Sequence, residues 1–519
     1  MKARHIAYII WTVIALLGVI SWVVPNNGIS IGGWQLCWVT LADVLGSEEE
    51  EESSMCYSDS TWLAGMEEYE MATDTTRVFV AQKRVLAPLQ PKQALHDSLL
   101  RQIADSIKNA TKEEVVTKPT VVERISSVVE DRSVAQVAET NKATSSSEGS
   151  SGEVVDSRRY LSAFYEALDS AGVMPVRVVH YGDSQIEEDR ISNILRGRWQ
   201  EAYGGGGVGL IPLHQTIPTR SIRQWLSIDG VRQSSKGGPK RFMIYGPRSR
   251  RQESNDYGVM GHVAVMDHGL VDGSEDVVMH IEPAGKKHAP HQYFSQIRLL
   301  ASHVEGEVRS KDTTLAVKPY GVSVLLEQTD RCEIRLHGKG KVYGVSLETP
   351  TGVMVDNIPM RGSSGVIFTR LESRSLSDYY SATNTRLLIL QYGGNMIPQS
   401  SKKSTIDGYV KNLRTQINHL RRCAPYASIL FIGPSDMSTR INGKMVTYPM
   451  VPYLDKKLRE MAQEEKIGYW SMYEAMGGKN SMVEWVEKGL AGSDYVHFTR
   501  AGANKVGQML GKWIDEGKR

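Results

Sequence analysis

The sequence predicts an α/β fold: a three-layer domain on a parallel sheet, interrupted by an inserted all-β sandwich module and preceded by an N-terminal transmembrane anchor. Three observations carry that expectation. Apolar runs of strand length at 176–180, 387–390 and 429–432 alternate with stretches of amphipathic helical spacing. Between about 216 and 341 this pattern gives way to short alternating runs separated by Gly, Pro, Asp and Ser. The chain also opens on basic residues followed by an uncharged apolar stretch at 6–24.

Taken in order, the first segment is 1–27. Lys2, Arg4 and His5 precede the apolar run, and Pro25, Asn26 and Asn27 end it. Its length just spans a bilayer, and the basic flank is expected to stay cytoplasmic, which places the rest of the chain on the far, periplasmic side. A cleaved signal peptide is the rival reading, but no small-x-small site follows Val24.

Residues 28–155 read as a tether. The acidic run 48–52 and the Ser-, Thr- and Glu-rich, aromatic-poor stretch 113–155 cannot bury enough apolar surface to offset the entropy of ordering, although a helix is expected near 91–109. Cys37 and Cys56 could pair in an oxidising compartment, whereas Cys332 and Cys423 lie in apolar surroundings and read as core.

The α/β domain is expected at 156–216 and again at 341–519, with the β module at 217–340. Its first part reads as a helix over 157–171, a strand at 176–180 and a helix over 187–203 that stops at the run Gly204 to Gly207. The module's strand-like runs are 241–245, 262–266, 276–280, 322–326 and 332–336. Afterwards come strands at 387–390 and 429–432 and helices over 405–422, 454–465 and 500–514. The formal net charge of +2 over 519 residues lacks the basic excess that nucleic-acid binding demands.

Four short segments fall just after apolar runs or before the last helix: Gly182-Asp183-Ser184-Gln185, the stretch from Asn357 to Gly362, Gly393-Gly394-Asn395, and Asp494-Tyr495-Val496-His497. Each alone is short enough to arise by chance. Together they supply a nucleophile, a base, a group to orient the base and donors for an oxyanion, which is what serine-based acyl transfer requires.

On these residues the chain resembles the SGNH hydrolases, the GDSL-type esterase superfamily with a flavodoxin-like sheet, and among them the peptidoglycan and polysaccharide O-acetylesterases with an inserted β domain. Gly182 to Ser184 match the first block, with Gln185 where many members carry Leu. Gly362 matches the second block, Gly393 to Asn395 the third, and Asp494 with His497 the last. Met396 stands where Asp commonly follows the Asn.

The resemblance implies that Ser184 attacks an ester, His497 takes its proton, and Asp494 holds the imidazole. The oxyanion donors would be the Ser184 and Gly362 N–H groups and the Asn395 amide, each such donor being worth on the order of 3 kcal/mol in the transition state. No cofactor or metal is expected. The expected partner is an acetylated polysaccharide or peptidoglycan, with the membrane contacted through the N-terminal helix. If a sugar hydroxyl rather than water resolves the acyl-serine, the enzyme is an O-acetyltransferase working beside a membrane acyl-transfer partner. A non-catalytic glycan-binding scaffold is the third reading, and it has no need of so complete a set.

Blander readings compete residue by residue. Asp183 reads as the cap of the following helix rather than as a catalytic group. Gly365 is the alternative to Gly362 as the oxyanion glycine. Arg361 either binds a substrate carboxylate or sugar hydroxyl or is a surface charge. Asp494 and His497 could merely decorate the last helix. His288 and His291 read as a loop, and Arg248, Arg250 and Arg251 as a solvated cluster.

Overall fold

The computed structural model describes residues 29–31, 34–36 and 156–518, apart from 216, 235–237, 247–250, 252–254, 267–276, 286–291 and 312. The expected anchor, nearly all of the tether with its acidic run and helix, the Cys37–Cys56 pair, His288, His291, Arg248 and Arg250 lie outside the described residues. Within the span read as tether, Ile29–Ile31 and Trp34–Leu36 pair as a short antiparallel hairpin. Among the described residues no helix is long and apolar enough to cross a membrane.

Five strands build the central sheet: β1 (Pro175–Gly182), β2 (Gly352–Pro359), β3 (Thr385–Gln391), β4 (Ser428–Ile432) and β5 (Gly468–Trp470). All neighbours pair in parallel, in the order β2-β1-β3-β4-β5. Both faces are covered, which is why the strands read as continuous apolar runs rather than alternating ones. On one face Val178, Val355, Ile389 and Ile432 meet residues of α1 (Ser162–Asp169), α2 (Ser192–Tyr203) and α8 (Arg500–Glu516) in a single core. Trp199 of α2 lies edge-on to Phe164 of α1 at 5.4 Å and donates its indole N–H to Asp515 of α8 at 3.0 Å.

The remaining helices are α3 (Ser373–Ala382), α4 (Lys403–Cys423), α5 (Val451–Glu464), α6 (Met472–Met476) and α7 (Ser481–Glu487). Tyr181 of β1 has its hydroxyl 2.8 Å from that of Tyr380 on α3, and α4 packs against both α3 and α5. Cys332 and Cys423 are buried and unpaired, matching their expected core setting.

Two helices differ from the expectation: the one over 157–171 opens as a 3-10 segment at Ser157–Leu161 before α1, and the second departs further. The spacing predicts a helix over 187–203, but α2 begins only at Ser192, and Ser184–Asp189 instead forms tight 3-10-like turns broken by a kink at Glu187 and Glu188. Glu188 and Asp189 both have φ near +60°, a region that excludes them from a right-handed helix. Besides the nearby Arg190 and Arg196, their side chains bind Arg220 and Ser221, 32 residues on, which local periodicity cannot report.

Among the described residues the inserted module, with Gly209–Ile211 added to one edge, forms two six-stranded antiparallel sheets. One is centred on Phe294–Ser302 and Gly340–Glu348, the other on Cys332–His337 and Val277–Pro283. Ile297, Leu299, Val345 and Leu347 from the first share a core with Met279, Ile281, Ile334 and Leu336 from the second. The pairing reaches outside 217–340, since Gly209–Ile211 lies antiparallel to the end of Gly340–Glu348. At this junction Gly207 has φ +77°, and a Cβ there would stand 2.1 Å from the Leu347 carbonyl oxygen, so the glycine run does more than stop α2.

A buried ionic cluster joins the module to the parallel sheet. Arg177 of β1 binds Asp356 of β2 at 2.7 Å, Glu348 at the end of the module's strand, and Ser346 at 3.2 Å. Asp356 also accepts the Leu210 N–H at 2.8 Å and the Tyr379 hydroxyl at 2.6 Å. Burial alone would push the Glu348 carboxyl up, but the Arg177 and Arg298 guanidiniums outweigh it and hold the group below its usual range.

Candidate active site

The strand order places a crevice at the carboxyl ends of β1 and β3, because the chain leaves β1 toward β2 on one side and returns to β3 on the other. Ser184 follows β1, the Gly362 turn follows β2, and Asn395 follows β3, so three of the four segments meet at this switch point. The fourth comes from the loop between α7 and α8, where Asp494 and His497 precede the Thr499 cap of α8.

Ser184 Oγ lies 3.0 Å from His497 Nε2, and His497 Nδ1 lies 2.7 Å from Asp494 Oδ2. The other Asp494 oxygen accepts the backbone N–H groups of Val496 and His497, each at 3.0 Å. Partial burial raises the Asp494 carboxyl, but the imidazole and these N–H donors more than offset it and leave the group below its ordinary range. A carboxylate kept ionised in this way fixes the imidazole with its other nitrogen toward the serine. The geometry suits removal of the Ser184 proton by His497.

Gly362 and Gly365 both have positive φ, +74° and +82°. Gly365 donates its N–H to Ser363 Oγ at 3.1 Å, and a Cβ there would stand 2.7 Å from the Tyr392 ring. Among the described residues nothing accepts from the Gly362 N–H, and the space around its α-carbon is open. Of the two glycines, Gly362 is therefore the one with a donor to give.

Asn395 donates its amide to Asp183 Oδ2 at 3.2 Å and to the Ser363 carbonyl at 3.0 Å. Asp183 does cap, accepting the Gln185 N–H at 2.9 Å, and in addition holds Asn395 beside the serine. Burial pushes its carboxyl up to about 6, against the lowering effect of the Gln185 N–H and His497. Arg361 does not stand alone: its guanidinium grips Glu187, with Nε donating to Oε1 at 2.7 Å and Nη2 to Oε2.

No family model matches the sequence, and no curated protein does. Solved structures do. A peptidoglycan O-acetylesterase superposes over 69% of this chain and 95% of its own length, with 20% identity and a TM-score of 0.53. The chain has the SGNH hydrolase fold. An acetyl xylan esterase (14% identity, 30% of this chain and 79% of its own, TM-score 0.24) and a GDSL-like lipase from Parabacteroides merdae (16% identity, 31% and 73%, TM-score 0.24) also match, at a likeness too low to carry weight.

Within the SGNH frame, Gln185 makes a tie that its motif position did not predict, and Arg190 is a residue the sequence did not mark. Gln185, where Leu is common, donates its amide to the Val496 carbonyl at 2.7 Å and so ties the serine turn to the histidine loop. Arg190 does the same from the other side, reaching the Phe498 carbonyl at 3.3 Å and the Glu187 carbonyl at 3.0 Å. The one signal available was the acidic run Glu187, Glu188 and Asp189 beside the serine, which helical spacing absorbed.

Proposed function

We propose that the chain is a serine-dependent ester hydrolase that removes acyl groups, O-acetyl above all, from an envelope or exported carbohydrate. The observation that supports this most directly is the run of short contacts from Ser184 through His497 to Asp494 at the sheet's switch point. Ser184 Oγ attacks the ester carbonyl while His497 takes the hydroxyl proton. The Ser184 and Gly362 N–H groups and the Asn395 amide receive the oxyanion, which competes with the Ser363 carbonyl for the Asn395 hydrogen. Collapse expels the sugar oxygen, to which His497 returns the proton, and leaves acetyl on the serine. Water, activated by the same imidazole, then releases acetate.

The carbohydrate is supported by the fold shared with a peptidoglycan O-acetylesterase and by the module standing beside the site. Gly261 in the module approaches Met360, next to Arg361 and Gly362, and Tyr245 lies in the same contact. The extracytoplasmic, membrane-attached setting rests on the apolar run 6–24 behind basic residues.

The test is turnover of a chromogenic acetate ester and of an O-acetylated glycan by the full-length protein, with and without an oligosaccharide acceptor. Ser184→Ala and His497→Ala should each keep the fold and lose roughly four orders of magnitude or more in kcat, since members of such a set act as one unit. Wild-type-like hydrolysis by either variant would remove the assignment. Acetyl appearing on the acceptor rather than as acetate would make the enzyme a transferase.

A further inference from the structure

The turn that carries Ser184 is not held by the α/β domain alone. Its acidic run points three ways: Glu187 to Arg361 after β2, Glu188 to Arg190 and Arg220, and Asp189 to Arg196 and Ser221. Arg220 and Ser221 stand at the lead-in to the module's strand Ile222–Ile228. The Arg220 N–H donates to the Glu188 carbonyl at 3.0 Å, and the Ser221 hydroxyl donates to Asp189 Oδ2. Asp189, Arg196 and Ser221 are all at least 96% buried. Arg196 carries the connection on to β2, donating Nε and Nη2 to the Val355 carbonyl at 2.9 and 2.6 Å.

Two adjacent non-glycine residues at φ +60° persist only where their surroundings over-determine them. Here the surroundings are a backbone bond and a buried side-chain bond from the inserted module. We propose that Ser221, acting through Asp189, is a positioning residue for the nucleophile, so that the module completes the serine turn instead of only recruiting a polymer. This rests on the reading of Ser184 as nucleophile given above. An insert that merely held distant sugar units would have no reason to bury a hydroxyl against this turn.

The test is Ser221→Ala in the full chain, with Ser221→Thr as the variant that keeps the hydroxyl. Thermal melting should stay close to wild type. With a small chromogenic acetate that cannot reach the outer face of the module, kcat should fall roughly ten- to a hundred-fold with KM little changed, the scale expected for a displaced reacting group. Labelling of Ser184 by a fluorophosphonate should slow in parallel, and Ser221→Thr should recover most of both losses. Unchanged kcat and labelling, or a loss matched by the unfolded fraction, would overturn the proposal. Should the wild type prove inert to every ester and to the fluorophosphonate, the reading of Ser184 fails instead. Amide exchange over 184–190 then decides the positioning: faster exchange in Ser221→Ala supports it, and unchanged exchange overturns it.

Discussion

Arg361 and Glu187 form a two-pronged ion pair that joins the turn after β2 to the turn after β1. The partners are unequally buried, with the Arg361 side chain 58% exposed and that of Glu187 only 8%. Removing the arginine therefore strands a buried carboxylate three residues from Ser184.

Arg361→Ala should lower kcat on a small acetate ester by about ten-fold or more while changing KM little, because the Gly362 donor is displaced relative to the serine. Arg361→Lys should recover only part of this, since an ammonium cannot reproduce the planar fork. A KM increase confined to acetylated polysaccharide would instead make Arg361 a contact for sugar.

The Asp183 carboxyl gives a pH-dependent prediction. Its value in the fold is about 6, raised by burial, whereas an unfolded chain leaves it near 4. Between these values the folded form holds the proton more tightly, so its contribution to stability falls as pH rises from about 4 to about 6 and the full penalty persists above that. Asp183→Asn should thus gain stability over wild type at pH 7, by up to roughly 3 kcal/mol, and lose the advantage near pH 4. Urea melts at the two pH values measure it. The same variant should be slower on esters, because Asn395 loses its charged acceptor.

Arg177 makes a prediction about stability without catalysis. It neutralises Asp356 and Glu348, both buried, at the seam between module and sheet. Arg177→Ala should cost about 3–5 kcal/mol in a urea melt, since each carboxylate is left buried with its main partner gone. The folded fraction should keep its kcat, as the cluster lies in the first half of β1, away from Ser184. A marked kcat loss in fully folded protein would show that the seam also sets the active-site geometry.

The amino-acid sequence by itself determined the alternation of apolar runs and amphipathic stretches, and with it the parallel sheet, the interruption by β strands and the order of the four segments. Those features are local: period, length and turn residues report burial over a few residues at a time. The tertiary structure alone decided what surrounds the serine. Glu187, Glu188 and Asp189 carry helical spacing in the sequence, yet their partners Arg361, Arg220, Arg196 and Ser221 include residues 32 and 174 positions away. Two of the three take left-handed backbone to reach them. In the sequence Gly362 is preferred to Gly365 only by motif position, until Ser363 Oγ takes the Gly365 N–H. Such bonds depend on which chain segments the sheet order brings together, and no pattern of neighbours along the chain encodes that distance.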